Sequence, residues 1–282
     1  MLAVYPMENY SFAQFSVSNR VGATSETMLF NLKRETPMTQ SRRRWMICLL
    51  AVAVLVLVPH SRAQNRPPIL EQIAKTYGLD SFGQVEAIRY TWNGEITGLF
   101  KASHVWEWEP KTGRISFEGT DKDGKPVKVT YLQSQLNSQP AVVKDMVEPS
   151  FVNDNYWLLF PLHAYWDSSA TVTEKAMQKL PIGSGTATLV SIKYPAEAGG
   201  FTPGDTWDLY VGPNKRVQQF VYHRGGPKPP SLVTATWAGY KKAGPLLFST
   251  EHRGTADGKP LHIFLTDVAV KMTGSDQWIK AQ

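Results

Sequence analysis

The stretch "HVWEWEP", His104 to Pro110, alternates strictly, so an extended chain puts Trp106 and Trp108 on one face and Glu107 and Glu109 on the other. That period of two recurs along most of the chain. "EAIRYTW" precedes it, Lys111-Thr112-Gly113 turns into "RISFEG", and there Ile115 and Phe117 share a face. Asp123-Gly124 is a hairpin signal before "VKVTYL". After Asp167 come "SATVT", "GTATLVSIKY", "TWDLYVG", "RVQQFVYHR", "LVTATWAGY", "LLFSTEHR" and "LHIFLTDVAVK", with turns at Pro213-Asn214 and Asp257-Gly258. Parallel strands would need crossover helices, and only about three short helical stretches are on offer. The pattern predicts a mainly β (α+β) chain: one curved antiparallel sheet or barrel with a few short helices on its concave face.

The helical stretches are specific. After Pro67-Pro68, residues Ile69, Leu70, Ile73, Ala74 and Tyr77 follow helical spacing and Gly78 supplies a stop. Ser138 is placed to cap a helix from about Pro140 to Glu148, which Pro149 should break. A second short helix should hold "FVNDNYWLLFPLHAYWD", Phe151 to Asp167, with Asn153 or Asp154 as its cap and Pro161 as its end. Tyr156, Trp157, Leu158, Leu159 and Phe160 cover every side of their turn and a half. Such a helix is buried all round or lies in lipid, and five residues cannot cross a bilayer, which takes about 20. The segment is predicted to plug the concave face of the sheet against Trp106, Trp108, Ile115 and Phe117.

The beginning of the chain reads as an address. Met38 opens "MTQSRRRWMICLLAVAVLVLVPHSRAQ": a basic Arg42-Arg43-Arg44, an apolar run from Trp45 to Val58, and small residues at Ser61 and Ala63. This predicts a signal peptide over 38–63, cleaved after Ala63, and a periplasmic protein. An uncleaved anchor is the alternative. Ser41-Arg42-Arg43 also resembles a twin-arginine motif, though the strongly apolar run favours general secretion. Residues 1–37 show no periodicity and read as a spurious or disordered extension. Residues 64–282 then form a single domain.

Cleavage changes the composition. Cys48 leaves with the signal, so the mature chain has no disulfide, thiolate or Cys-ligated metal. The full chain has 30 Lys+Arg and 24 Asp+Glu, of which residues 1–63 hold seven and three. The mature balance is 23 against 21, or +2. The basicity belongs to the signal and gives no reason to invoke nucleic acid.

Few residues suggest bond-making chemistry. His163 and Asp167 are four apart and would share a helix face, as a hydrogen-bonded pair where the plug rejoins the sheet. His252, Asp257 and His262 lie across the last hairpin and His223 sits in "VYHRGG", but no metal-binding spacing is present. Ser184 in "GSGTA" lacks the nucleophile-elbow pattern. Asp205 and Asp208 fall on opposite faces of a strand. No catalytic residue, metal or cofactor is expected. The signal that remains is apolar: Trp106, Trp108, Phe117, Tyr156, Trp157, Leu159, Phe160, Trp207, Phe220 and Tyr222. These are either ordinary core or the lining of a hydrophobic ligand cavity.

"NDNYWLLFPLHAYWD", "GGFTPGDTWDLYVGPNKRVQQFVY" and "ATWAGYKKAGPLLFSTEHR", in that order, resemble a family of exported bacterial proteins of unknown function. That family is similar in fold to the periplasmic lipoprotein carriers LolA and LolB. The resemblance runs from roughly Phe82 to Val270. It implies a half-barrel closed by short helices around a hydrophobic cavity, which in the carriers takes acyl chains. The expectation is a non-enzymatic periplasmic carrier for an apolar or amphiphilic ligand, such as a lipid or lipoprotein acyl chain. An envelope scaffold with a filled core, binding another protein by an edge strand or loop, is the alternative. A hydrolase assembled from distant strands is the third reading.

Overall fold

The structure, a computed structural model, describes residues 67–196, 203–225 and 231–282. The predicted extension and signal peptide, with the Ala63 cleavage point, lie outside the described residues.

The chain opens with two helices, α1 (Pro68–Thr76) and α2 (Leu79–Phe82). Ile69, Leu70, Ile73 and Ala74 form the buried stripe of α1, and Gly78 ends it at φ 101°, a left-handed backbone that other residues rarely adopt. A meander follows: β1 (Val85–Ile96), β2 (Phe100–Glu109), β3 (Arg114–Thr120) and β4 (Pro126–Leu132). A 3₁₀ segment (Gln133–Ser138) and a π turn (Val143–Val147) lead into α3 (Glu148–Trp166). Nine strands complete the chain: β5 (Thr171–Lys179), β6 (Thr186–Lys193), β7 (Thr206–Val211), β8 (Val217–His223), β9 (Leu232–Thr236), β10 (Ala238–Ala243), β11 (Leu246–Ala256), β12 (Lys259–Met272) and β13 (Trp278–Lys280).

All strands join one antiparallel sheet in the order β4-β3-β2-β1-β12-β11-β9-β8-β7-β6-β5, with β10 on β11 and β13 on β12. The sheet is open, with β4 and β5 as its edges. It must also curve. β2 and β7 stand six places apart in that order, roughly 29 Å on a flat sheet at about 4.8 Å per strand. Yet α3 touches both: Phe151 meets Trp106 of β2 at 5.4 Å and Phe160 meets Trp207 of β7 at 4.2 Å between ring centroids. Nine helical residues span only about 14 Å. The predicted open half-barrel around an apolar plug is therefore the architecture.

Several local expectations give way. Pro149 does not break a helix. It stands in the first turn of α3, where its missing N–H has no helical partner to serve, and the π turn lies just before it. One 19-residue helix replaces the short second helix. Pro161 lies inside α3 and does not end it. Lacking an N–H, it leaves the Trp157 carbonyl without its helical donor, and the backbone kinks at Leu159 (φ −128°, ψ 16°). Asn153 and Asp154 are mid-helix and cap nothing. "LVTATWAGY" is two strands, because Trp237 interrupts the ladder between β9 and β10.

Candidate functional site

The inner face of the sheet and α3 form one continuous apolar core. α3 has almost no polar side over Tyr156–Leu162, and every residue from Asp154 to Leu162 is buried. Two aromatic clusters hang on it. Near its start, Phe151 packs edge-on against Trp106 and Trp108, and Trp106 lies 4.6 Å from Phe117. Past the middle, Phe160 stacks on Trp207, Trp157 meets Phe220 at 5.1 Å, and Trp207 meets Tyr222 at 4.8 Å. Leu159 is buried at the kink between them. The ten candidate residues thus fall along one helix and the strands facing it, with Trp108 alone half-exposed.

Polar side chains fix this helix in place. Asp154, wholly enclosed, accepts from His104 Nδ1 at 2.7 Å and Trp106 Nε1 at 2.8 Å. Glu148 accepts from Tyr131 Oη and, at 3.0 Å, from Gln133 Nε2. Burial holds the Glu148 carboxyl above its ordinary range, against the opposing pull of those two donors. His163 does not pair with Asp167. Its Nε2 lies 2.6 Å from Asn155 Oδ1 and its ring stacks on Tyr156 at 4.4 Å, while the Asp167 carboxylate accepts from Ser169. The kink explains the change, since His163 turns back along the helix towards Asn155. Burial pushes the His163 ring down to about 3, so it is neutral.

The other candidate clusters stay apart. His262 lies opposite Arg253 in the β11–β12 ladder, so His252 and His262 point to opposite faces. His252 is fully buried, its Nδ1 3.2 Å from the Thr236 carbonyl, its ring against Trp157 and Trp237, and its pKa pushed by burial to about 3. His262 pairs with Glu251, His223 with Asp208, and Asp257 accepts from Ser231 and the Leu232 N–H. Among the described residues no three His, Cys, Asp or Glu side chains converge as a metal site. Ser184 lies in the turn joining β5 to β6. Asp205 is buried and accepts from Tyr222 Oη at 2.8 Å and the Gly225 N–H at 2.7 Å, on the face away from Asp208.

An apolar opening lies beside α3. Trp157 and Asn153 form its floor, the β1–β2 hairpin gives Trp92, Ile96, Leu99 and Phe100, β9 gives Val233, and the β11–β12 hairpin gives Ala256, Leu261 and Ile263. The pocket encloses about 680 Å³ including its mouth, where Glu95, Arg224, Asp257 and Lys259 add charge. The indole N–H groups of Trp92 and Trp157 are buried beside it without a hydrogen-bond partner among the described residues. Of the ten candidates, Trp157 lines the pocket. The hairpin residues around it went unpredicted. Their signal was the alternation of Leu261 and Ile263 in "LHIFL" and of Trp92 with Ile96, which reads equally well as plain core.

No family model matches the sequence, and no curated protein matches it. Solved structures with a similar chain path exist. A DUF1329 family protein from Desulfovibrio piger aligns at TM-score 0.42 with 7% identity, over 74% of this chain and 94% of that one. A LolA superfamily protein from Nitrosomonas europaea aligns at TM-score 0.39 with 9% identity, over 71% and 91%. The Mycobacterium tuberculosis lipoprotein LppX aligns at TM-score 0.26 with 9% identity, over 72% and 95%. All three share fewer than one residue in ten with this chain.

Proposed function

We propose that the protein is a non-enzymatic periplasmic carrier that takes the hydrocarbon part of an amphiphile, a lipid or lipoprotein acyl chain, into the pocket beside Trp157. The supporting observation is that pocket: an apolar chamber walled by two hairpins and strand β9 and floored by a plug helix, with charged groups at its mouth. A buried acyl chain contributes about 0.8 kcal/mol per CH₂, so a 14-carbon chain supplies on the order of 10 kcal/mol before ordering costs. Binding on that scale needs no catalytic group. The aromatic set around α3 then serves as the wall behind the pocket and yields when a long chain enters.

The test is titration with a fluorescent fatty acid. Saturable binding to the wild type, lost in Leu261→Trp while thermal melting is unchanged, is the expected result. No saturable binding, or equal binding by both proteins, would overturn the proposal. The scaffold reading has its own observation: β5 is an edge strand exposed along nearly its whole length on both faces. Native mass spectrometry after incubation with lipid separates the two, since a scaffold with a filled core gains no lipid mass.

A further inference from the structure

A second opening, sharing no lining residue with the acyl pocket, lies where β11 and β12 part. β11 and β12 pair from Ala256↔Lys259 to Glu251↔Phe264 and then part. β11 continues alongside β10, while β12 continues alongside β1 and gains β13 only from Ala269↔Lys280. The last residues of the chain close the far end of the gap. The Ala281 N–H donates to the Val268 carbonyl at 2.8 Å, and Gln282 exchanges two backbone hydrogen bonds with Lys242 of β10 at 2.9 and 3.0 Å. The result is a window framed on every side by hydrogen-bonded backbone. It encloses about 940 Å³ including its open side.

The charge around this window is unbalanced. Arg89, Lys241 and Lys280 line it together with one carboxylate, Asp267. None of the three cations forms an ion pair among the described residues. Asp267 is turned to its own neighbours: its backbone is left-handed (φ 53°) and its Oδ2 accepts from Thr266 Oγ1 at 3.2 Å and Thr91 Oγ1 at 3.5 Å. The Arg89 guanidinium lies over the Trp278 ring at 4.4 Å, which holds the group while leaving its in-plane N–H donors free. Three like charges around one preformed opening repel each other unless an anion joins them. A planar guanidinium donates two parallel hydrogen bonds to a phosphoryl or carboxylate edge, and the two ammonium groups add point charge. Leu265, Val268 and Ala281 give the same opening an apolar wall.

We propose that this window is an anion site that takes a phosphoryl group carrying an organic substituent, the phosphoryl on Arg89, Lys241 and Lys280 and the substituent against Leu265, Val268 and Ala281. It is separate from the acyl pocket and stands or falls without it. The source of the phosphoryl is either a free phosphomonoester or a phospholipid headgroup, and two arms of one experiment tell them apart. Calorimetric titration of the protein with glycerol 3-phosphate at low salt tests the first. Co-sedimentation with phosphatidylcholine vesicles, with and without phosphatidic acid, tests the second. Saturable binding in one arm is expected, weakened about tenfold by Arg89→Gln and by Lys280→Gln, and weakened again by salt. Lys280 is exposed, so Lys280→Gln keeps its fold and decides the matter should Arg89→Gln be unstable. Absence of saturable binding in both arms, or binding that Lys280→Gln leaves unchanged, would overturn the assignment. Titration of Lys280→Gln with the fluorescent fatty acid should match the wild type.

Discussion

Trp106 Nε1 of β2 donates to Asp154 Oδ2 in the middle of α3 at 2.8 Å, across 48 residues of sequence. His104 Nδ1 reaches the same oxygen at 2.7 Å, and the Asn153 side-chain amide supports the other oxygen at 3.0 Å. A buried carboxylate with three donors is a strong tether, and the sheet supplies two of them. Asp154→Ala leaves buried donors without an acceptor, at about 1–3 kcal/mol for each buried group. We expect a loss of about 3 kcal/mol in urea denaturation, with Asn153→Ala losing less than about 1 kcal/mol. Equal losses in the two variants would show that the tether carries no special weight.

The buried histidines set a pH dependence. In the unfolded chain histidine titrates near 6.5, whereas burial holds His163 and His252 at about 3 in the fold. Above pH 6.5 both states are neutral and neither ring affects stability. Below it the unfolded chain takes up protons that the fold refuses. Stability therefore falls from about pH 6.5 towards 3, on the order of 1.4 kcal/mol per pH unit for each ring. Glu148 acts the other way: its raised folded pKa gives stability that is complete below the unfolded carboxyl value and lost as pH rises through the folded one. Two rings outweigh one carboxyl. Thermal midpoints should drop between about pH 6.5 and pH 4, and His163→Gln should flatten the drop by roughly half. An unchanged slope in His163→Gln would show that the ring is protonated in the fold.

Much of the sheet could be read from the chain because its signals are local. Asp123-Gly124 and Asp257-Gly258 both turn hairpins, and the Asp257-Gly258 pair adopts the positive φ values, 49° and 80°, that such turns require. Trp106 and Trp108 share a face because strand alternation is rigid. α3 was harder. Its prolines read as breaks, but Pro149 falls in a first turn and Pro161 only kinks the helix. Asn153 and Asp154 read as a cap because the partners of Asp154, His104 and Trp106, reach it only by tertiary contact. A carboxylate inside an otherwise apolar helix signals a buried acceptor at least as strongly as it signals a cap. The pocket was hidden for a simpler reason: a lining residue and a core residue have the same alternation.

Export is testable at the N-terminus. The basic, apolar and small-residue segments from Arg42 to Ala63 lead us to expect Gln64 as the first residue of protein isolated from its native envelope. N-terminal sequencing decides it, and a lipidated or full-length start would refute the reading.

Metal content is a further check. His252 and His262 face opposite sides of β11–β12, and residues 64–282 hold no cysteine. Elemental analysis of protein purified without an affinity tag should find zinc and iron well below one per chain. A stoichiometric metal would require ligands brought together in a way that this arrangement of strands does not provide.

Trp157 is where stability and binding meet. It touches Phe220, Trp237 and His252 on one side and floors the pocket on the other. Trp157→Ala should cost about 3–5 kcal/mol, the usual price of removing a large buried aromatic. It should exceed Tyr156→Ala and Phe160→Ala, because Trp157 carries a larger ring than either and packs against Phe220, Trp237 and His252. Trp166, 38% exposed at the helix end, should cost about 1 kcal/mol or less. Leu159→Ala is the more informative change. Leu159 is buried at the kink, two residues from Trp157, so truncating it loosens the packing of the plug on which the pocket floor rests. If the pocket admits acyl chains by movement of that indole, fluorescent fatty acid should bind Leu159→Ala more tightly than wild type, while the fold persists with a loss of about 2–4 kcal/mol. Background binding in both proteins would end the carrier proposal and leave the filled-core scaffold.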